Sequence, residues 1–267
     1  MYKVIEITSF AQAFELFFED SYDNRINRLR SSYVFRGMNN ASYDLQTSFF
    51  RNCGTDLIIE ESMLRNFSKY AIMEHPELAT TIWRQMIIGQ HHGLPTRLLD
   101  WSYSPLVALH FATDESNLTD VDKNDSVVWK VNLEEINSLM PIRYQKALKD
   151  CGAYILTVDM INSLANNLTT YDSDMSNKSF VFMEPPSIDS RIINQYALFS
   201  IIPNEITNLT TFFEKHSEKT IKYVINKKAK WEIRDMLDQM NVSERIIYPG
   251  LDGLAQWLKR HYFVKKI

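Results

Sequence analysis

Glycine and proline are scarce in this chain, 7 and 8 of 267 residues, about half their average combined usage of roughly 12%. Few positions can therefore take φ > 0 cheaply. This excludes collagen-like and Gly/Ser-linker classes, and it argues against a chain of many tight hairpins such as a sandwich or propeller. Cysteine is nearly absent. Cys53 and Cys151 lie far apart with no Cys or His at metal-ligand spacing, which excludes a disulfide scaffold and a zinc site and fits a reducing, cytoplasmic location. No apolar run approaches the roughly 20 residues of a membrane span, and Phe10 to Phe18 lacks the basic flank and cleavage site of a signal peptide. A membrane is thus not an expected partner. An excess of one charge is missing too: 29 Lys+Arg against 33 Asp+Glu leave −4, which speaks against broad, non-specific DNA binding. Neither GxGxxG nor GxxxxGKS/T occurs, so classical dehydrogenase and P-loop ATPase readings drop out.

What is present is a helix-rich chain able to bury a full core, with 45% hydrophobic and 12% aromatic residues. Met1 to Ile7 reads as a strand. Ser9 offers a cap, with Gln12 three residues on, for a helix carrying Phe10, Ala13, Phe14, Phe17 and Phe18 on one face. Tyr33 to Gly37 is a second strand candidate. Asp56 to Gln90 is helical in two pieces hinged at His75-Pro76, because Pro disfavours a helical residue before it. Pro105 to Ala112 is a short apolar helix. Ser126 to Val131, Lys178 to Met183, Ala197 to Ile201 and Thr220 to Ile225 look like strands, and Thr113 to Asp125 and Asn162 to Asn177 like polar loops. Lys227 to Met240 and Leu251 to Tyr262 are helical. Scattered short strands without regular strand-helix alternation predict an α+β fold and not a Rossmann one: a single helix-rich domain, residues 1–267, around a small mixed or antiparallel sheet. Residues 1–30 form an N-terminal strand and helix packed on it.

Three segments could carry chemistry. In Phe35-Arg36-Gly37, an Arg before Gly at a strand end offers a planar, permanently charged fork where a ligand can come close, suited to phosphate or carboxylate. The alternative is a surface ion pair. Gly89 to Trp101 packs Gln90, His91, His92, Thr96, Arg97, Asp100 and Trp101 into thirteen positions. An extended Thr96 to Asp100 places Arg97 and Asp100 on opposite faces, so one of them can reach a ligand while the other holds a neighbouring loop. The alternative is a buried polar network joining two helices. Adjacent His91 and His92 cannot both easily ligate one ion, so no metal is expected. Glu184 closes an apolar strand, and Arg191 and Gln195 share one face of a helix at a spacing of four. A lone Glu there could equally be solvated.

Together these segments resemble the FRG domain family, named for its Phe-Arg-Gly motif. The resemblance rests on Phe35-Arg36-Gly37, Gln90-His91 through Asp100-Trp101, Ser104-Pro105-Leu106 with Ala108 and Phe111-Ala112, Arg191 with Gln195 and Phe199, and Tyr248 to Leu254. It runs over about residues 30–260. Ala197 stands where the family usually has Gly, and Gly250 where it has Asp. The family brings no settled reaction, and its setting is prokaryotic and phage proteins near mobile or anti-phage functions. Arg36-Gly37 further resembles the first-strand Arg-Gly of Arg-Ser-Glu ADP-ribosyltransferases, with Ser102 or Ser104 loosely like their serine motif.

That likeness implies an NAD- or nucleotide-handling effector in phage defence or a toxin system. NAD would be a substrate rather than a prosthetic group, and a protein or nucleic acid would be the target. Its chemistry is loss of nicotinamide through an oxocarbenium-like centre. The catalytic candidates are Arg36, His91, Glu184 and Gln195; the ligand-binding candidates are Phe35, Gly37, Gln90, Thr96, Arg97, Asp100, Trp101, Ser104 and Arg191. Glu184 does not stand in that class's glutamate motif. Two alternatives stay open. One is a non-catalytic sensor binding a nucleotide or phage-derived ligand through Arg36, His91, Arg97 and Arg191. The other is a metal-independent nuclease with His91 as acid and Arg97 as phosphate clamp.

Overall fold

The computed structural model describes residues 1–76, 80–187 and 190–265. The first third contains β1 (Lys3–Ile7), α1 (Phe10–Phe18), β2 (Tyr22–Asp23), β3 (Arg28–Leu29), β4 (Tyr33–Met38), α2 (Ser48–Cys53), α3 (Leu57–Ala71) and α4 (Ile82–His91). Next come β5 (Leu98–Ser102), α5 (Pro105–Thr113), β6 (Ser126–Asn132), α6 (Leu133–Leu139), α7 (Ile142–Cys151), β7 (Leu156–Thr157), α8 (Val158–Leu164) and α9 (Leu168–Met175). The last part holds β8 (Val181–Glu184), α10 (Ser190–Asn194), β9 (Ala197–Ile201), α11 (Leu209–His216), β10 (Ile221–Ile225), α12 (Lys230–Gln239), α13 (Glu244–Ile247) and α14 (Leu251–His261). The fold is α+β, as the sequence predicts.

Eight strands form one mixed sheet in the order β1-β10-β6-β4-β5-β9-β8-β7. The β1–β10 and β7–β8 pairs at its two ends are parallel, and the other pairings are antiparallel. The N-terminal strand is thus an edge of the main sheet. Side-chain alternation along the strands builds two unlike faces. One face carries a continuous core across five adjacent strands, β6-β4-β5-β9-β8, with Val34, Trp129, Trp101, Leu198 and Phe182 under Phe49, Phe50 and Phe213. The other face is covered in two separate patches. Phe17, Ala108 and Ile233 pack on Phe35, Val128 and Tyr223, while Trp83, Ile87, Tyr144 and Tyr171 pack on Leu98, Val181 and Phe199. The gap between these patches falls over the β4–β5 junction.

Local signals explain several elements. The Ser9 side chain caps α1 through Gln12 N, at 3.3 Å, as the spacing predicts. Phe10, Ala13 and Phe17 are buried, but Phe14 and Phe18 are about two-fifths exposed, so the aromatic stripe is wider than the face it covers. The predicted polar loop Asn162 to Asn177 is instead largely helical. Asn167 caps α9 through Thr170 N, at 2.8 Å, and Leu168, Tyr171 and Met175 turn inward from among polar neighbours. Helices α2, α6, α7 and α11 also lie outside the elements that the sequence pattern marks. The stretch from Asp56 to Gln90 does divide into two helices, but α3 ends at Ala71, four residues before His75, and α4 begins only at Ile82; residues 77–79 lie outside those described.

Candidate functional site

Strands β4 and β5 pair only at Phe35 and Ser102, although β4 stays paired to β6 through Met38 and β5 to β9 through Leu98. The sheet therefore opens between Arg36–Met38 and the Asp100–Trp101 stretch. Arg36 spans this opening. Its Nη1 donates to the Asp100 carbonyl at 2.5 Å and stands 3.8 Å from Asp100 Oδ2, taking the place of a ladder bond that the diverging strands do not make. Its Nε is buried without a partner. A buried donor left unpaired costs about 1–3 kcal/mol, so this guanidinium holds unused capacity for an anion. Burial pulls its pKa down from the ordinary arginine value, Asp100 counters that, and the charge of Arg51 adds to the lowering.

Two chambers meet at this residue. The inner one, about 250 Å³, is lined by Phe35, Arg36, Gly37, Gln90, Asp100, Trp101, Ser102, Phe111, Arg191 and Gln195. The outer one, about 710 Å³, shares Arg36, Gly37 and Phe111 and adds Tyr43, Asp44, Arg51 and Asp114 among its walls. The sequence candidates Phe35, Arg36, Gly37, Gln90, Asp100, Trp101, Arg191 and Gln195 are thus brought to one cavity. His91 lines a small adjoining recess with Gln90, Asp100, Arg191 and Gln195.

The elements around the cleft fix these groups. Gln90, in the last turn of α4, donates Nε2 to Asp100 Oδ1 at 2.9 Å. Arg191, on α10, lies over the Tyr248 ring at 5.4 Å, and burial pushes the Tyr248 hydroxyl up to about 12, so that ring stays neutral. Gln195 donates Nε2 to the Ile247 carbonyl at 3.1 Å, and its own carbonyl accepts from Ser102 Oγ at 2.7 Å. Gly37 lines the cleft, but its missing side chain has a packing cause. A Cβ there would lie 1.7 Å from the Ala108 carbonyl oxygen, because α5 sits directly on β4.

Four candidates are placed elsewhere. Arg97 is fully buried, paired with Glu60 and with Asp172 at 2.5 Å, and so joins α3 to α9. Of the two readings the sequence leaves open for it, the structure has the buried network, and Arg97 cannot reach a ligand. Thr96 is buried, and its hydroxyl donates to Gln90 Oε1, so it supports the cleft from behind. Ser104 caps α5 through Val107 N, at 3.3 Å. Glu184 does not line either chamber. It closes β8, accepts from Tyr103 OH at 3.3 Å, and borders two other surface hollows. Strand β9 lies between β8 and β5, which separates Glu184 from the β4–β5 opening. Trp101 contributes to the inner wall but is packed against Phe182 with Nε1 bonded to Ser200 Oγ at 2.9 Å.

The sequence pattern does not mark Arg51, Tyr43 or Asp114, and it gives Phe111 a place in a motif without a role. Among the described residues no cluster of His, Cys, Asp and Glu is arranged to hold a metal ion, and no helix is long and apolar enough to cross a membrane.

An α+β protein whose mixed sheet parts around an arginine-lined cleft is the class that fold and site define. Within it, residues 31–121 match the FRG domain family, a segment that holds Arg36, Gln90, Asp100 and Phe111. The motifs at Arg191 to Phe199 and Tyr248 to Leu254 lie beyond the matched residues. No curated protein and no solved structure matches the chain.

Proposed function

We propose that this FRG-domain protein is a nucleotide-handling effector that binds its ligand's phosphates at Arg36 and, given NAD, breaks the bond to nicotinamide. The observation that carries the reading is the Arg36 guanidinium, set in the opening of the sheet with a buried, unpartnered Nε. Arg191 supplies a second cation in the same chamber, and Phe111 gives both chambers an aromatic wall.

In this reading Asp100 replaces Glu184 as the carboxylate facing the ribose, because Asp100 lines the chamber and Glu184 does not. The glycosidic C–N bond breaks, its electron pair leaves with nicotinamide, and water adds to the sugar carbon with loss of a proton. Asp100 stabilises the positive charge that develops between. Phage defence or a toxin system is the cellular setting that the family likeness implies.

A binding module without chemistry is the second reading. It is favoured by the way Gln90 and Arg36 already engage Asp100, so that this carboxylate is held before any sugar arrives. The nuclease reading loses its phosphate clamp with the burial of Arg97.

Incubation with NAD separates the first two. Release of free nicotinamide, reduced at least about 100-fold in Asp100→Asn and Arg36→Ala, supports the enzyme. Binding of ADP-ribose, lost in Arg36→Ala, without any nicotinamide release with or without cell extract, makes the protein a binding module.

A further inference from the structure

The outer chamber contains a second cation besides Arg36, together with two carboxylates, Asp44 and Asp114, of which Asp114 lies 3.7 Å from Arg234. Arg51 lies in the last turn of α2, is exposed, and lines that chamber together with Arg36. Its Nη1 donates to the Gln46 carbonyl at 3.2 Å. No carboxylate among the described residues lies within ion-pair distance of it. Alternation along β4 places Arg36 on the face that carries Val34, and Phe49 and Phe50 of α2 cover that same face. Arg51 follows them directly in the chain. The two guanidiniums are close enough for Arg51 to disfavour the charge on Arg36.

Two like charges bordering one cavity repel each other, and an anion between them relieves that cost. On the nucleotide-binding reading, one phosphate rests on Arg36. A second phosphate, one bridging oxygen further on, is what a neighbouring arginine suits, since guanidinium binds phosphate oxygens through paired N–H donors.

We propose that Arg51 is a specificity-determining residue of the cleft, holding the second phosphate of a diphosphate ester whose first phosphate rests on Arg36. The inference rests on the nucleotide-binding reading but not on any reaction. A structural role for Arg51 also has a physical basis, because a cation in the last turn of a helix interacts favourably with the free carbonyls there. That role lowers stability when removed. It does not change the preference between two nucleotides.

Calorimetric titration with AMP, ADP and ADP-ribose at one fixed ionic strength tests the proposal. The wild type is expected to bind ADP and ADP-ribose about tenfold or more tightly than AMP, the ratio that one added charge-assisted bond supplies. Arg51→Ala is expected to abolish that ratio while AMP affinity stays within about twofold, and Arg51→Lys to restore part of it. Lys149→Ala, on α7 and outside the cleft, controls for net charge and should leave the ratio unchanged. If AMP and ADP bind the wild type equally, the nucleotide reading stands and the role of Arg51 is overturned. Equal losses for AMP and ADP in Arg51→Ala also overturn it, since Arg51 would then act only through the general field. Failure to bind any of the three overturns both readings.

Discussion

At Gly37 the backbone of β4 meets the backbone of α5, and the close approach of the Ala108 carbonyl leaves no room for a methyl group. The opposing atom is main chain, so no flexible side chain can yield. Gly37→Ala should therefore cost about 1–3 kcal/mol or more, read as a lower urea midpoint at unchanged slope, and should shift α5 with Phe111 on the cleft wall. Gly253 faces a similar limit, since a Cβ there would lie 1.8 Å from the Tyr248 carbonyl oxygen. The Phe-Arg-Gly motif thus divides its work. Phe35 is core, Arg36 sets a cation in the opening of the sheet, and Gly37 lets a helix lie flat on the strand. The sequence marks all three positions. It does not tell Arg36 from Arg97, because the same guanidinium lines an open cavity in one place and joins a buried network in the other. What separates them is a pair of carboxylates, Glu60 and Asp172, brought from 37 and 75 residues away.

Among the elements, the C-terminal helices are tied by one buried carboxylate. Glu244, at the start of α13, accepts from Arg234 of α12 and from Arg260 of α14, the latter at 2.7 Å through Nε. Burial by itself would raise its pKa, but the bonds from Arg260 and the charge of Arg234 overcome that and hold the carboxyl down to about 2 from an ordinary 4.5. A carboxylate with a depressed folded value contributes stability that is fully present above its unfolded value and is lost as pH falls through the folded one. Stability should therefore decline between about pH 4.5 and about pH 2, by roughly 3 kcal/mol from this group. Glu244→Gln should flatten that part of the pH profile and lower stability at pH 7 by about 3–5 kcal/mol, since two buried arginines lose their shared partner. Urea unfolding at a series of pH values measures both effects.

Elements with a strong local signal are legible in the chain: β1, α1, β4, α5, β6 and α14 follow from alternation, caps and an N-terminal proline. Helix α9 is hidden, because its buried positions are only Leu168, Tyr171 and Met175 among threonines and aspartates that also suit a loop.

For the whole molecule, the decisive feature is that a single sheet is covered by two separate helical layers on one face and parts where they meet. The two lips of the opening belong to strands that are far apart in the chain, with α2, α3 and α4 between them, so a ligand bound there touches both halves of the sheet at once. A ligand that binds only the folded state stabilises it by mass action, about 2.7 kcal/mol at 100 times its dissociation constant. ADP-ribose at saturating concentration should accordingly raise Tm in the wild type and leave Arg36→Ala unchanged. Equal shifts in both proteins would place the ligand elsewhere.

By itself the sequence determined the helix-rich α+β class, the exclusion of Gly-rich nucleotide loops, and the identity of most residues that line the cleft. These depend on composition, periodicity and short-range spacing, which are local properties. Only the tertiary structure decided that Arg36 stands in a gap and Arg97 in a core, that Glu184 is a strand away from the opening, and that Arg51 joins Arg36 at one cavity. Each of these depends on which strands are neighbours and where their ladder ends. That is set by long-range packing of the two helical layers on the sheet, and no residue's immediate neighbours in the chain encode it.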